Sequence, residues 1–309
     1  DGRIRMRVND KDIDLRVSSI PTTHGESIVM RILDRASIQL DIPKLGFYAD
    51  DLELVNSIIG LPDGIFLVTG PTGSGKTTSL YAFLNTINTI SRKIITVEDP
   101  VEYQLEGINQ VQVDRHIDMT FAAALRAMLR QAPNIIMVGE IRDLETAEIA
   151  INAALTGHLV FSTLHTNDAA STVTRLMDMG VEPFLIASSL AGVLGQRLIR
   201  RVCPECKTYY TPTDEDLERL NLERAQVGDR KFCYGRGCEH CSNTGYKGRK
   251  ALTELLVVND VIREMIADST PANILRDKAC EFGMRTLRDD GLLAIFNGET
   301  SVDEADRYT

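Results

Sequence analysis

The stretch Gly70-Pro71-Thr72-Gly73-Ser74-Gly75-Lys76-Thr77-Thr78 decides the fold. It matches the pattern G-x-x-x-x-G-K-[ST], and its flanks supply the context that the pattern requires. The apolar run Ile65–Thr69 reads as a strand before it, and the pattern from Lys76 to Ile90 reads as a helix after it. Glycines allow successive backbone N–H groups to turn inward on phosphate oxygens. The start of the helix adds positive partial charge. Lys76 is expected to reach the β- and γ-phosphates, and the Thr77 hydroxyl to coordinate Mg²⁺. The plain alternative is a chance glycine turn between a strand and a helix, and the context argues against it.

Outward from this loop, short apolar runs alternate with helical stretches. Ile94–Val97, Ile135–Val138 and Leu159–Ser162 read as strands, and Thr120–Gln131, Asp143–Leu155 and Ala169–Met179 as helices. Such alternation implies an α/β domain with a mostly parallel sheet, expected over residues 44–199. The chain begins differently. Ile4, Met6 and Val8 alternate with Arg3, Arg5 and Arg7, Asn9-Asp10-Lys11-Asp12 suits a turn, and Ile13, Leu15 and Val17 alternate again. With Ile28–Leu33 as a third strand, residues 1–37 read as the C-terminal part of a small β-rich domain, joined by a linker at 38–43. Residues 200–250 hold five of the six cysteines and read as a separate subdomain. Residues 251–309 read as helical, with Pro271 opening one helix and Gly283 following it.

Composition narrows the function classes. The 309 residues allow about two domains, with an insert. Hydrophobic residues make up 43% and charged residues 25%, as in an ordinary globular protein. The longest apolar runs, such as Ile135–Val138, are too short to span a bilayer. Lys and Arg total 34 against 44 Asp and Glu, a net charge of −10. That balance argues against sequence-independent nucleic-acid binding, though a local basic patch stays open. The chain opens on Asp1 directly in a strand pattern, without a signal-peptide pattern, and reads as a fragment excised from a longer chain.

A phosphate loop implies nucleotide binding, whereas hydrolysis needs carboxylates. Asn134–Val138 followed by Gly139 and Glu140 is a buried-type strand ending in an acid. Glu140 is expected beside the phosphates as a Mg²⁺ and water ligand, and an ion pair with Arg142 is the bland alternative. Glu98, Asp99 and Glu102 cluster just after another strand, where mutual repulsion calls for a cation. For Asp99 a turn cap before Pro100 competes with that role. His158 and His165 bracket one core strand, and suggest a sensor of the γ-phosphate or of a neighbouring subunit.

Cys203-x-x-Cys206 and Cys238-x-x-Cys241 form two knuckles separated by 31 residues. Four thiolates suit tetrahedral Zn²⁺ in a closed, structural site. The longer separation leaves room for an inserted helix near Asp214–Leu220. A redox pair would need only one such knuckle. Cys233 and His240 are competing ligands, and Cys280 reads as a buried hydrophobe.

Four segments in order, GPTGSGKTT, ITVEDPVEY, NIIMVGEIRD and TGHLVFSTLHTNDA, resemble the Walker A, Asp box, Walker B and His box of the secretion-superfamily ATPases. The four-cysteine insert further resembles the type II secretion and type IV pilus assembly branch. The resemblance covers the β-rich start and the tail. It implies a RecA-like core with a PAS-like β-domain before it. It also implies a homohexameric ATP-hydrolysing ring at the cytoplasmic face of the inner membrane. Implied partners are an inner-membrane platform protein and the cytoplasmic domain of an inner-membrane assembly protein, with no nucleic acid. Family arginines that approach phosphates match Arg16, Arg31, Arg126 and Arg130, and the family's catalytic acids match Glu102 and Glu140. A DNA-transfer ATPase of the same superfamily and a non-hydrolysing nucleotide-gated scaffold are the alternatives.

Overall fold

The computed structural model describes residues 2–8, 11–34 and 41–309. They fall into two compact units, Asp1–Leu40 and Asp41–Thr309.

The first unit is an antiparallel sheet of β1 (Gly2–Val8), β2 (Lys11–Thr22) and β3 (Gly25–Asp34), in that order. Val8 pairs with Lys11, so Lys11 and Asp12 of the expected turn are strand, while Asn9-Asp10 lie outside the described residues. The alternating pattern does form the hairpin and third strand. Register sets Arg16 directly opposite Arg31, with Arg3 at the same level on β1. Ile28, Val29, Met30 and Ile32 on β3 are all more than half exposed, whereas Ile13, Leu15 and Val17 on β2 are half-buried. Half of the expected linker, residues 38–40, lies outside the described residues; its end enters a short 3₁₀ turn, Ile42–Leu45.

The second unit is built on a seven-stranded sheet. Its strands are β4 (Gly64–Thr69), β5 (Ile94–Glu98), β6 (Asn109–Gln112), β7 (Ile135–Val138), β8 (Leu159–Leu164), β9 (Leu190–Val202) and, after the cysteine-rich segment, β12 (Tyr246–Val257). The spatial order is β12-β9-β4-β8-β7-β5-β6. All neighbours are parallel except β12, which runs antiparallel to β9. Every residue of β4, β5, β7 and β8 is buried. Helices cover both faces of such a sheet, so its strands read as unbroken apolar runs rather than alternations. The covering helices include α1 (Ala49–Ile59), α2 (Lys76–Ile87), α3 (Phe121–Leu129), α4 (Leu144–Leu155) and α5 (Ala169–Asp178). α3, α4 and α5 begin at Thr120, Asp143 and Asp168, each of whose side chains accepts a backbone N–H of the first turn.

The expected boundaries at 199/200 and 250/251 fall inside β9 and β12. Residues 251–257 are strand, which corrects the helical reading of that segment. β12 carries buried polar residues, Lys250, Thr253 and Glu254, which break up the apolar run a sequence reader looks for. Glu254 explains its own burial. Its oxygens accept from Ala169 N (2.8 Å) and Leu287 N (3.3 Å), the first residues of α5 and of a C-terminal helix.

Between β9 and β12 the chain leaves the sheet. There it forms a small ribbon of β10 (Lys207–Tyr210) and β11 (Phe232–Gly235), while α6 (Pro183–Ser189) leads into β9. The helix expected near Asp214–Leu220 spans those residues as α7, closed by a Thr213–Asp216 capping box; a short α8 (Arg224–Val227) follows. Leu217, Leu220, Val227 and Phe232 pack with Ile295, Val302 and Ala305. The last two of these lie on α12 (Val302–Tyr308), and Ile295 on α11 (Leu287–Phe296), which follows α9 (Asp260–Ala267) and α10 (Ala272–Glu281). Val202 pairs with Tyr246, and Cys203 N donates to Gly245 O at 2.9 Å, so both ends of the excursion lie side by side. No described helix is long and apolar enough to cross a membrane.

Candidate functional site

In a parallel sheet all strand C-termini face one edge. Thr69 pairs with Leu164, and Val138 with both Val97 and Ser162. The phosphate loop after β4, Glu98 and Asp99 closing β5, Glu140 after β7 and His165 after β8 therefore gather at that edge, where ligands of such sheets bind.

The loop from Gly70 to Gly75 leads into α2 with Gly75 as its N-cap. Pro71, Thr72 and Gly73 are exposed, while Thr77 and Thr78 sit half-buried in the first helical turn. Lys76 is largely buried and folds back on its own loop, donating to Gly70 O at 2.7 Å and Pro71 O at 3.0 Å. Burial pushes its ammonium pKa down, against an opposing pull from Glu140. Ser74 Oγ is buried with no hydrogen-bond partner among the described residues. Thr69 Oγ1 joins the His-box loop through Thr166 (Oγ1–Oγ1 2.6 Å).

Glu140 is nearly buried, with a 2.6 Å ion pair to Arg142 and His165 Nε2 3.4 Å from its other oxygen. The Arg142 pairing and the phosphate-edge placement thus hold together. His165 joins the acid, a contact that the sequence reading of it as a sensor did not include. Asp99 borders a cleft with Thr120, Arg142 and Asp143, and its carboxylate lies 3.8 Å from Arg115.

Glu98 departs from the reading as a nucleotide ligand. It is 4% exposed and accepts from Tyr81, from Thr96 Oγ1 (2.5 Å) and from Gln110 Nε2 (3.1 Å). These partners belong to α2, β5 and β6, and they knit the strand to its neighbours. Burial pushes its carboxyl pKa up, opposed by those donors. Glu102 lies near enough to add repulsion.

His158 is also elsewhere. It precedes β8, at the opposite edge of the sheet, about 20 Å of strand away from the loop. Its Nδ1 contacts Ala153 O at 2.8 Å, tying the end of α4 to the strand. It cannot sense the γ-phosphate of its own subunit. Arg126 pairs with Glu145 of α4 at 2.8 Å, and Arg130 follows α3, donating to Arg126 O at 3.0 Å. The next residue, Gln131, accepts from Lys93, which precedes β5, so Arg130 too lies at the far edge. Arg16 and Arg31 belong to the other compact unit.

Sequence reasoning missed Gln196 on β9. It is 2% exposed, donates to Ser74 O and accepts from Ser79 Oγ, both at 2.8 Å. Only its position one residue past the strand pairing Thr69–Gly195 reveals it, and that needs the three-dimensional register.

The four cysteines converge. Their sulfurs all lie within 4.8 Å of one another. Cys203–Cys238 and Cys206–Cys241 are 3.9 Å apart, and Cys238–Cys241 3.7 Å. Four sulfurs at about 2.3 Å from a tetrahedral metal stand about 3.8 Å apart, so the donor set fits. Cys241 Sγ accepts from Cys238 N (3.2 Å) and Gly245 N (3.3 Å). Burial pushes the Cys206 thiol up to about 11. At Cys241 burial acts in the same sense but is outweighed by those N–H donors and the neighbouring thiols, which bring it down to about 6. Cys233 is not a ligand; its thiol faces Thr300 O at 3.5 Å. His240 is exposed outside the cluster. Cys280 is half-buried, not the fully buried hydrophobe expected.

A strand, a glycine-rich loop and a helix bearing Lys76, set in a parallel sheet with an acid after a neighbouring strand, define a P-loop nucleotide-binding protein. The chain belongs to the Type II/IV secretion system protein family, whose model matches residues 1–307. It is 53% identical over 304 residues to the type IV pilus assembly ATPase PilB of Thermus thermophilus, covering 98% of this chain and 34% of that protein. It is 51% identical over 309 residues to the type II secretion system protein E of Xanthomonas campestris pv. campestris, covering 100% of this chain and 54% of that protein. The chain thus spans about a third to a half of these relatives' length. The crystal structure of the pilus retraction motor PilT with bound ADP superposes with a TM-score of 0.69 at 29% identity, covering 100% of this chain and 77% of that one. The Legionella pneumophila ATPase DotB shares the fold, with a TM-score of 0.69 at 22% identity.

Proposed function

We propose that this chain is the motor core of a cytoplasmic ATPase that powers assembly of a pilus or a secretion pseudopilus at the inner membrane. The carrying observation is the convergence of the Lys76 loop, Glu140 and His165 on one edge of the sheet, in a chain close to PilB and to type II secretion protein E. Lys76 and the loop N–H groups bind the phosphates. Thr77 and Glu140 are the groups that would hold Mg²⁺, which supplies neutralisation of the phosphate charge. Glu140 orients the water network and Glu102 takes the proton of the attacking water, with His165 steadying Glu140.

The working form is a homohexamer. The three-stranded unit is the end of a PAS-like domain, and it presents Arg16 and Arg31 to a neighbouring subunit's nucleotide. Their register supports this reading: it sets two guanidinium groups side by side on one sheet face, and arginine suits phosphate charge. Arg130 and His158, far from their own subunit's loop, serve an intersubunit surface instead, and so does Arg126, held by Glu145 beside the cleft that Asp99 borders. Zn²⁺ held by Cys203, Cys206, Cys238 and Cys241 is structural. The partners are an inner-membrane platform protein and the cytoplasmic domain of an inner-membrane assembly protein.

Phosphate release with Lys76→Ala tests the reading. Turnover should fall at least about a hundredfold, as expected for loss of phosphate charge stabilisation, with the melting temperature kept. Undiminished turnover in the variant sinks the loop assignment. No turnover in the wild type favours the scaffold alternative, and stimulation by DNA the translocase.

A further inference from the structure

Both glycines that bound the phosphate loop abut Gln196. A Cβ on Gly70 would collide with the Gln196 carbonyl, and one on Gly75 would lie 2.8 Å from Gln196 Nε2. The strand β9 therefore forms the floor under the loop, and the Gln196 side chain is packed between the loop and the start of α2.

Its hydrogen bonds are directional. Ser74 O can only accept, so the amide nitrogen must face it, and Oε1 is left to take the Ser79 hydroxyl. Ser79 is fully buried, which fixes the amide in this orientation. Ser74 C=O and Gly75 N–H belong to one planar trans peptide and point opposite ways. Holding the carbonyl on Gln196 thus turns the Gly75 N–H away from the floor, toward the side where phosphate binds. Gly75 has φ of +90° and no side chain, so little else resists rotation of this peptide.

We infer that Gln196 is a positioning residue for nucleotide binding: it pins the Ser74–Gly75 peptide so that the loop's N–H groups stay aimed at the phosphates. The inference rests on the nucleotide reading above. Gln196→Met keeps the volume and removes the donor. Gln196→Glu places a second acceptor against Ser74 O when ionised and restores a donor when protonated. Ser79→Ala releases the amide.

The test is ADP affinity by titration calorimetry between pH 6 and 8.5, with melting temperatures alongside. Gln196→Met should weaken ADP about tenfold with little change in melting temperature. Gln196→Glu should be weaker still at pH 8.5 and recover relative to wild type as the pH falls. Ser79→Ala should lose about threefold. Wild-type affinity in Gln196→Met, or a Gln196→Glu deficit independent of pH, overturns the positioning role. Were Gln196→Met to misfold, the pH response of Gln196→Glu still decides. Absence of ADP binding to the wild type is a different result, and it removes the nucleotide reading together with this inference.

Discussion

Asp290 shows what one buried carboxylate does to this molecule. It is 1% exposed; Oδ2 accepts from Thr253 N at 3.0 Å, while Oδ1 has no hydrogen-bond partner among the described residues. Arg285 Nε stays 3.7 Å away because its guanidinium is drawn to Asp50 and Asp51. Burial pushes the Asp290 carboxyl up to about 6. The folded state then holds a proton that the unfolded chain has already lost. This contribution to stability is fully present below the ordinary aspartate value and is lost as the pH rises through about 6. Asp290→Asn should therefore stabilise the protein at pH 7.5, by about 1–3 kcal/mol, with the gain vanishing toward pH 4. Denaturant melts at both pH values check it; a destabilised variant at pH 7.5 would show that the Arg285 pairing outweighs burial. Nothing in the sequence marks this aspartate, because its burial comes from strand β12 and helix α1, both distant in the chain. Lys76 and Glu140 were legible for the opposite reason: their loop, strand and helix are contiguous.

At the level of elements, α1 and the half-exposed β6 were not read from the sequence, whereas β4, β5, β7 and β8 could be read to within two residues. They are buried on both faces and carry little but apolar side chains. β9 and β12 escaped because Gln196, Lys250, Thr253 and Glu254 interrupt them with polar groups that are satisfied only by partners far along the chain. The cysteine spacing was legible as a metal site, and the sulfur separations suit one. The metal binding proposed there makes a segmental prediction. Chelation, or Cys238→Ser, should speed amide exchange across residues 203–245 by at least about tenfold, since metal-binding energy in such sites is folding energy. Exchange in β4 and α2 should hold steady. Unaltered exchange in residues 203–245, or no bound zinc by mass spectrometry, would refute the metal's role.

For the molecule as a whole, the division into Asp1–Leu40 and Asp41–Thr309 has a direct consequence. The sheet with the phosphate loop owns its core, whereas β3 alone exposes four large apolar side chains. A chain cut before Asp41 should unfold in one cooperative transition, at a melting temperature within a few degrees of the parent, and should keep ADP affinity. It should lose hydrolysis if Arg16 and Arg31 act across a subunit boundary, and added intact subunits should restore it. Calorimetry and phosphate release read both arms; a cut chain that hydrolyses ATP normally removes the arginines from the mechanism. The α/β architecture was clear from the order of apolar runs. The far-edge positions of His158 and Arg130 were not, because sequence spacing does not say at which end of a strand a residue stands.

The neighbouring ends of the cysteine-rich excursion carry a last implication. Val202 and Tyr246 are ladder partners, and Cys203 bonds to Gly245, so everything between hangs from one β-hairpin as a single loop. Closing so long a loop costs entropy that grows only slowly with its length. Cross-links among sulfurs at its neck would shorten the effective loop, as a drawstring closes a bag. The excursion is thus tethered twice, by its neck at the two strand ends and by the core it shares with α11 and α12.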